Sequence, residues 1–263
     1  MIVRKICNYS MLLLALSFVT LNTTYGIVHK KREVINGSMY EVNNFSHEDK
    51  QKFVNRAFGY INSLKSCVIQ FVQETYTGDK RQYAKGAFII KKPGKMRINY
   101  YRPHPLLITS NNQHMYLYDY GMNQLSQSKY DDHPLMLFLG QDQNNHLNVP
   151  SHKRVVNGKQ KYVVHSCNSY KEIGNSQNAD QAVENIMNLQ YFNDSVEMTL
   201  VFNGNFKVLK RILIRYNQNE QVTIFINSIK HVRKIDDTLF RIKNPSVFGK
   251  PSRMTFDQIN SLR

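Results

Sequence analysis

The sequence predicts an α+β protein in which one amphipathic helix precedes a long antiparallel sheet. Apolar residues recur at helical spacing after Ser46, and alternating strand patterns run from Ser66 onward. In several of these strands the charged and apolar side chains separate onto opposite faces. A sheet of this length is expected to curl, with helices covering its concave face.

The predicted helix begins at a capping box in residues 46–49, where Ser46 precedes Asp49 by three positions. The apolar residues that follow share one helical face: Phe53, Ala57, Ile61 and Leu64.

The clearest strand signal is GAFIIKKPGKMRINYY, residues 86–101, which predicts a hairpin around Pro93 and Gly94. In its second strand Met96 and Ile98 face one side, while charged and polar residues face the other. Further strands are predicted over residues 68–76, 106–109, 114–120, 161–165, 196–202, 208–216 and 222–230.

Less regular stretches separate these strands. Pro134 and the apolar run after it predict a short helix at 135–139. Residues 170–194 are polar and are interpreted as an insertion or flexible lobe, with a possible short helix at 179–187. The residues after Asp237 resemble a terminal tail.

Composition and charge limit the functional classes. The chain has 263 residues, of which 41% are hydrophobic, and its mean hydropathy of -0.48 excludes a polytopic membrane protein. The formal net charge of +16 favours polyanions, anionic lipid or acidic proteins as partners.

The first 26 residues predict a secretory signal peptide. Arg4 and Lys5 precede an apolar run at 11–19, and small residues follow up to Gly26. We expect residues 27–45 to form a flexible arm and residues 46–263 to form a single domain that contains the insertion.

Export would leave two cysteines, Cys67 and Cys167. An even pair in an exported protein indicates one disulfide, and two buried thiols remain the alternative.

Catalytic signatures are absent from the sequence. It contains no G-x-S-x-G, H-E-x-x-H, P-loop or G-x-G-x-x-G motif, and its nine histidines lack metal-ligand spacing. We therefore expect no metal, no cofactor and no enzymatic activity.

The order of several motifs resembles a known family, the outer-membrane lipoprotein carrier proteins of Gram-negative bacteria (LolA). The similarity runs from about Phe53 to Phe248. The matching stretches are FVQ at 71–73, GAFIIKKP at 86–93, MRINY at 96–100, LITSNN at 107–112, LYD at 117–119, PLML at 134–137, and DTLF at 237–240 followed by Pro245.

The resemblance implies an unclosed β-barrel with helices as a lid over an apolar cavity. It also implies a periplasmic carrier, which we expect to be a monomer and which receives acylated lipoproteins from an inner-membrane ABC lipoprotein-releasing transporter. The carrier delivers them to an outer-membrane receptor or to the outer membrane. Lys92 stands where the family typically has an arginine associated with holding the lid, so the resemblance makes Lys92 the expected lid contact.

Seven residues are the candidates for contact with acyl chains, although the same spacings would also suit an ordinary core. They are Ile61, Met96, Ile98, Ile108, Leu135, Met136 and Phe138. The alternative function is an exported basic module that binds polyanions or binds and senses lipid; export argues against nucleic acid as its ligand.

Overall fold

A computed structural model describes most of the chain. The described residues are 31–35, 38–45, 47–101, 103–111, 114–129, 138–139, 153–156, 159–172, 183–191 and 196–262. The expected signal peptide, the candidates Leu135 and Met136, and most of the helix expected at 135–139 lie outside them.

Within these residues, fourteen strands form one sheet, and every described pair of neighbouring strands is antiparallel. The strands are β1 Lys31–Ile35, β2 Ser38–Asn44, β3 Ser66–Thr77, β4 Lys80–Lys91, β5 Lys95–Tyr100, β6 Leu106–Asn111, β7 His114–Asp119, β8 Gln124–Lys129, β9 Lys153–Val156, β10 Lys159–Glu172, β11 Val183–Tyr191, β12 Glu197–Asn203, β13 Leu209–Asn217 and β14 Glu220–His231. The helices are α1 His47–Ser63, a 3₁₀ helix Asp237–Phe240, α2 Pro245–Phe248 and α3 Phe256–Asn260.

The sheet does not close on itself. Its strand order is β1-β2-β10-β11-β12-β13-β14-β3-β4-β5-β6-β7-β8, with β9 also beside β10, and the described ladders join no residue of β1 to β8. The α+β fold with an unclosed antiparallel barrel is therefore confirmed.

Helix α1 lies on the concave face of the sheet. It links β2, near one end of the sheet, to β3, near the middle, so the chain crosses the sheet at this point. Its apolar side packs into one cluster with strands that are far apart in the strand order, because the sheet curves around the helix. The buried residues of this helical face are Phe53, Val54, Ala57, Phe58 and Ile61.

A second, smaller core covers the opposite, convex face. Val68 of β3 and Ala87 and Ile89 of β4 alternate with residues that face the concave side. They pack against four residues that follow β14: Val232, Ile235, Phe240 and Ile259. The segment after Asp237 is thus packed on the sheet, and its interpretation as a tail is wrong.

Part of the expected flexible arm is a hairpin. β1 pairs with β2, and β2 pairs with residues Asn168–Glu172 of β10, so this stretch extends one end of the sheet.

The prediction of a short helix at 179–187 is also wrong from Val183 onward, because strand β11 begins there. The inward-facing residues of β11 are buried at a period of two: Asn185, Met187 and Leu189. Because Asn185 is polar, it interrupts the apolar alternation that would have predicted this strand. Its amide is nevertheless satisfied, since it donates to the carbonyls of Asn203 at 3.0 Å and Gly204 at 2.9 Å.

Candidate functional site

A narrow cavity lies on the concave face, along five adjacent strands. Its volume is about 20 Å³, roughly the room that one water molecule needs. Eight of the nine lining side chains are pure hydrocarbon. The lining consists of Ile69 and Phe71 (β3), Phe88 (β4), Ile98 and Tyr100 (β5), Ile212 (β13), Ile224 and Ile226 (β14), and Phe138.

Gly86 shapes one wall of the cavity. A Cβ built on Gly86 would lie 2.5 Å from Cζ of Phe71 and 2.8 Å from the backbone oxygen of Asn99. The Phe71 ring therefore occupies space that only glycine leaves free on β4. The same ring meets Tyr100 edge-on, with ring centroids 5.5 Å apart.

One edge of the cavity is polar. The hydroxyl of Tyr100 donates to Oε1 of Gln73 at 2.7 Å, and Nε2 of Gln73 donates to Oγ1 of Thr75 at 3.1 Å. Burial raises the pKa of Tyr100, with a smaller contribution from Tyr216, so the phenol stays protonated at neutral pH and keeps its donor role.

The expected cavity residues divide into three groups. Ile98 and Phe138 line the cavity. Ile61 and Met96 are fully buried in the concave cluster, and Ile108 packs against it while partly exposed, but these three are not among the lining residues. Leu135 and Met136 lie outside the described residues.

Most of the lining was missed by the sequence reasoning. Ile69, Phe71, Ile212, Ile224 and Ile226 occupy inward positions of strands that the sequence does predict. Their period of two predicts that they face inward. It does not predict that they share one cavity, because the pairing of β14 with β3 joins residues about 150 positions apart in the chain.

Lys92 holds the last turn of α1. Its ammonium donates to the backbone oxygen of Ile61 at 2.8 Å, and its backbone N–H donates to the oxygen of Lys65 at 2.7 Å. The last carbonyls of a helix have no partner within the helix, and a cation there also suits the helix dipole. The expected lid residue thus contacts the helix that covers part of the concave face.

The turn that follows Lys92 holds a second covering segment. The N–H of Gly94 donates to the oxygen of Leu139 at 3.0 Å, and the hydroxyl of Ser110 donates to the oxygen of Gly94 at 2.8 Å. Phe138, next to Leu139, is fully buried in the cavity wall.

The disulfide expected between Cys67 and Cys167 is not formed in this structure. Both cysteines are free and buried in the concave cluster. Burial raises the pKa of each thiol to about 12, which keeps both in the unreactive thiol form. Of the two alternatives that the sequence left open, the structure contains the buried thiols.

Within the described residues, no helix is long and apolar enough to cross a membrane. No three His, Cys, Asp or Glu side chains gather within this part of the chain in a way that could hold a metal ion.

Comparison with known proteins places the chain in a family. A family model described as outer membrane lipoprotein carrier protein LolA matches residues 62–166. An uncharacterized protein of Rickettsia prowazekii (strain Madrid E) is 30% identical over 202 residues, which cover 76% of this chain and 81% of the relative. The chain belongs to the LolA-like family.

Named carriers match this LolA-like chain over a shorter region. The outer-membrane lipoprotein carrier protein of Pseudomonas paraeruginosa is 29% identical over 101 residues, covering 36% of this chain and 49% of the carrier. Among solved structures, a LolA superfamily protein of Nitrosomonas europaea is similar at a TM-score of 0.39 and 12% identity. That match covers 73% of this chain and 97% of the other.

Proposed function

We propose that this chain is a periplasmic, non-enzymatic carrier that holds the acyl chains of lipoproteins in the concave cavity. In this proposal it receives them from an inner-membrane ABC transporter and delivers them to an outer-membrane receptor or the membrane itself. It works as a monomer without a cofactor. The observation that supports this is the continuous hydrocarbon lining across five adjacent strands of an unclosed sheet.

The chemistry of the cargo explains why a carrier is needed. Moving one CH₂ of an acyl chain into water costs about 0.8 kcal/mol, so several long chains do not leave a membrane unaided. A wall of Ile and Phe replaces lipid without directional bonds, which allows an acceptor membrane to recover the chains.

Cargo entry requires the cavity to open. A space of about 20 Å³ is far smaller than an acyl chain, so the proposed carrier needs an open form in which this cavity is larger. Besides the apolar packing, two hydrogen bonds hold the covering parts: Lys92 to the oxygen of Ile61, and Gly94 to the oxygen of Leu139. Both can exchange for water when α1 and the Phe138 segment move away from the sheet, because each contributes only about 1–2 kcal/mol net.

The test compares Ile98→Ser with Met96→Ser. Both side chains are buried on the same face of β5, but only Ile98 is among the lining residues. Both variants should lose stability, since each buries a hydroxyl among aliphatic groups. Transfer of an acylated lipoprotein from inner-membrane vesicles, measured per folded molecule, should fall at least about tenfold for Ile98→Ser and little for Met96→Ser.

Lys85→Ser serves as the surface control, since Lys85 is exposed on β4. Lys91, another lysine of β4, would not serve as a surface control, because its ammonium binds Asp237 and the oxygen of Ile235. Equal transfer per folded molecule by wild type and Ile98→Ser would refute the cavity assignment. Native mass spectrometry showing no acylated cargo, together with salt-sensitive oligonucleotide binding, would instead support the polyanion-binding alternative.

A further inference from the structure

A loop with an apolar tip projects from the convex face. It comprises residues 241–251 and is called the tip loop here. It contains the one-turn helix α2, on which Val247 and Phe248 are 70% and 65% exposed. Single exposed apolar residues are common, whereas two adjacent ones at the end of a loop form a small apolar patch that a binding partner would cover.

The tip loop has a rigid base. The guanidinium of Arg97, only 4% exposed, donates to the oxygen of Leu239 at 3.1 Å and to the oxygen of Ser252 at 2.8 Å. These two carbonyls flank the loop, so one buried side chain holds both of its ends. Phe240, which is 1% exposed, packs beneath the base in the convex core.

The tip itself is also well defined. The side chain of Asn244 caps α2 by accepting from the N–H of Ser246 at 3.0 Å. Gly249 follows with φ of 76°, a conformation that favours glycine, and its N–H donates to the oxygen of Pro245 at 3.0 Å. The chain therefore turns back directly after Phe248.

All charges of the tip loop are basic: Arg241, Lys243 and Lys250. The ammonium of Lys243 lies 5.2 Å from the ring centroid of Phe248, so a positive charge borders the apolar tip. The preceding acidic residue, Asp237, is paired with two lysines of the sheet.

We propose that the tip loop docks the protein on a bilayer that contains anionic lipid. Val247 and Phe248 enter the boundary between headgroups and acyl chains, and the basic side chains contact the headgroups. A tip of two side chains is too small for a stable protein interface, which needs about 800 Å² from each partner, whereas a membrane accepts it without shape complementarity. The inference goes beyond the carrier function and does not depend on the cavity, which lies on the opposite face of the sheet.

The main experiment uses a local fluorophore, because the chain contains no tryptophan. In the full chain, Phe248→Trp should show a blue-shifted emission when phosphatidylglycerol-containing vesicles are added. It should show little shift with vesicles of phosphatidylcholine alone. Val208→Trp is the control, since Val208 is 47% exposed at another place on the surface, and its emission should not move. If another part of the chain binds the membrane, the emission of Phe248→Trp should not shift.

Vesicle sedimentation provides the second measurement. The double variant Val247→Ser/Phe248→Ser should reduce partition onto the anionic vesicles by about tenfold or more, while Val208→Ser should not. The double variant Lys243→Gln/Lys250→Gln should bind the anionic vesicles more weakly and with a smaller salt dependence. Lys207→Gln, a control at another exposed lysine, should change neither. Thermal unfolding checks that every variant folds.

Four results would overturn the proposal. The first is an unshifted emission of Trp at position 248 while the chain sediments with the vesicles. The second is wild-type partition by the double serine variant, and the third is equal binding to anionic and zwitterionic vesicles. A wild-type chain that binds neither vesicle would also overturn it.

Discussion

Replacing Gly86 with alanine tests the cavity wall with a single methyl group. The new Cβ would meet Cζ and Cε1 of Phe71 at 2.5 and 3.0 Å, and the backbone oxygen of Asn99 at 2.8 Å. The ring can turn away only by giving up its place in the cavity lining, and the oxygen moves only if β5 moves. Gly86→Ala therefore disturbs two walls of the cavity at once.

The expected loss of stability follows from overpacking, which costs about 1–3 kcal/mol in a packed core. Gly59→Ala is the matched control, because Gly59 is exposed within α1 and its added Cβ meets nothing within 4 Å. That change should stabilise the protein by about 0.5–1 kcal/mol. Both substitutions restrict the unfolded chain in the same way, so their difference reports on the folded state.

Denaturant and thermal unfolding measure the difference, and each 1 kcal/mol should shift the Tm by about 2–4 °C in a domain of this size. Binding of a fluorescent fatty acid, measured per folded molecule, should fall for Gly86→Ala and stay at the wild-type level for Gly59→Ala. The reasoning fails if Gly86→Ala is as stable as the wild type, since the ring would then have room that the structure does not show. If Gly86→Ala is destabilised but binds the fatty acid as the wild type does, the Phe71 wall is not part of the ligand site.

Three further predictions concern polar contacts and thiols. Two lysines lower the pKa of Asp237 from 3.8 to about 2, so the stabilisation is present above pH 4 and is lost as the pH falls toward 2. The Tm difference between wild type and Asp237→Asn should narrow over that range, and a constant difference would contradict the ion pair. Lys92→Met should destabilise the protein by about 1–2 kcal/mol in urea unfolding, because it removes the side-chain donor to the oxygen of Ile61, whereas Lys92→Arg should lose less. Cys67 and Cys167 should both resist iodoacetamide at pH 8 in the native protein and react in denaturant without a reductant. A peptide map that shows them joined would refute the free thiols.

The fold was accessible to sequence reasoning because it depends on local periodicity. The helical spacing after Ser46 and the alternation in residues 86–101 identify α1 and the hairpin of β4 and β5, and most other strands were predicted near their positions. Strands with polar inward residues were harder to predict. Asn185 on β11 interrupts the apolar pattern, although two carbonyls accept from its amide. The hairpin of β1 and β2 carries no clear pattern and depends on pairing with β10.

The candidate site was predicted less completely, since it depends on which strands become neighbours. Ile98 was found because β5 alternates clearly, and Phe138 because it belongs to an apolar run. Ile212 and Ile224 come from strands more than a hundred residues away, and no local signal states that β13 and β14 follow β3 in the sheet. Met96 was placed on the correct face of β5, and in the structure it lies in the concave cluster beside the lining residues.

Arg97 shows why alternation predicts a face but not what covers it. The pattern of β5 places Arg97 opposite Ile98, and a charged side chain there is expected to meet water. Instead, the segment after β14 covers this face, and burial lowers the pKa of the Arg97 guanidinium. Burying a guanidinium is costly unless its donors are paired, and here Leu239, Ser252 and the amide oxygen of Asn99 accept from it. Arg97, on the face of β5 that carries charged and polar residues, therefore fixes both ends of the tip loop, while the next residue on the same strand, Ile98, lines the cavity.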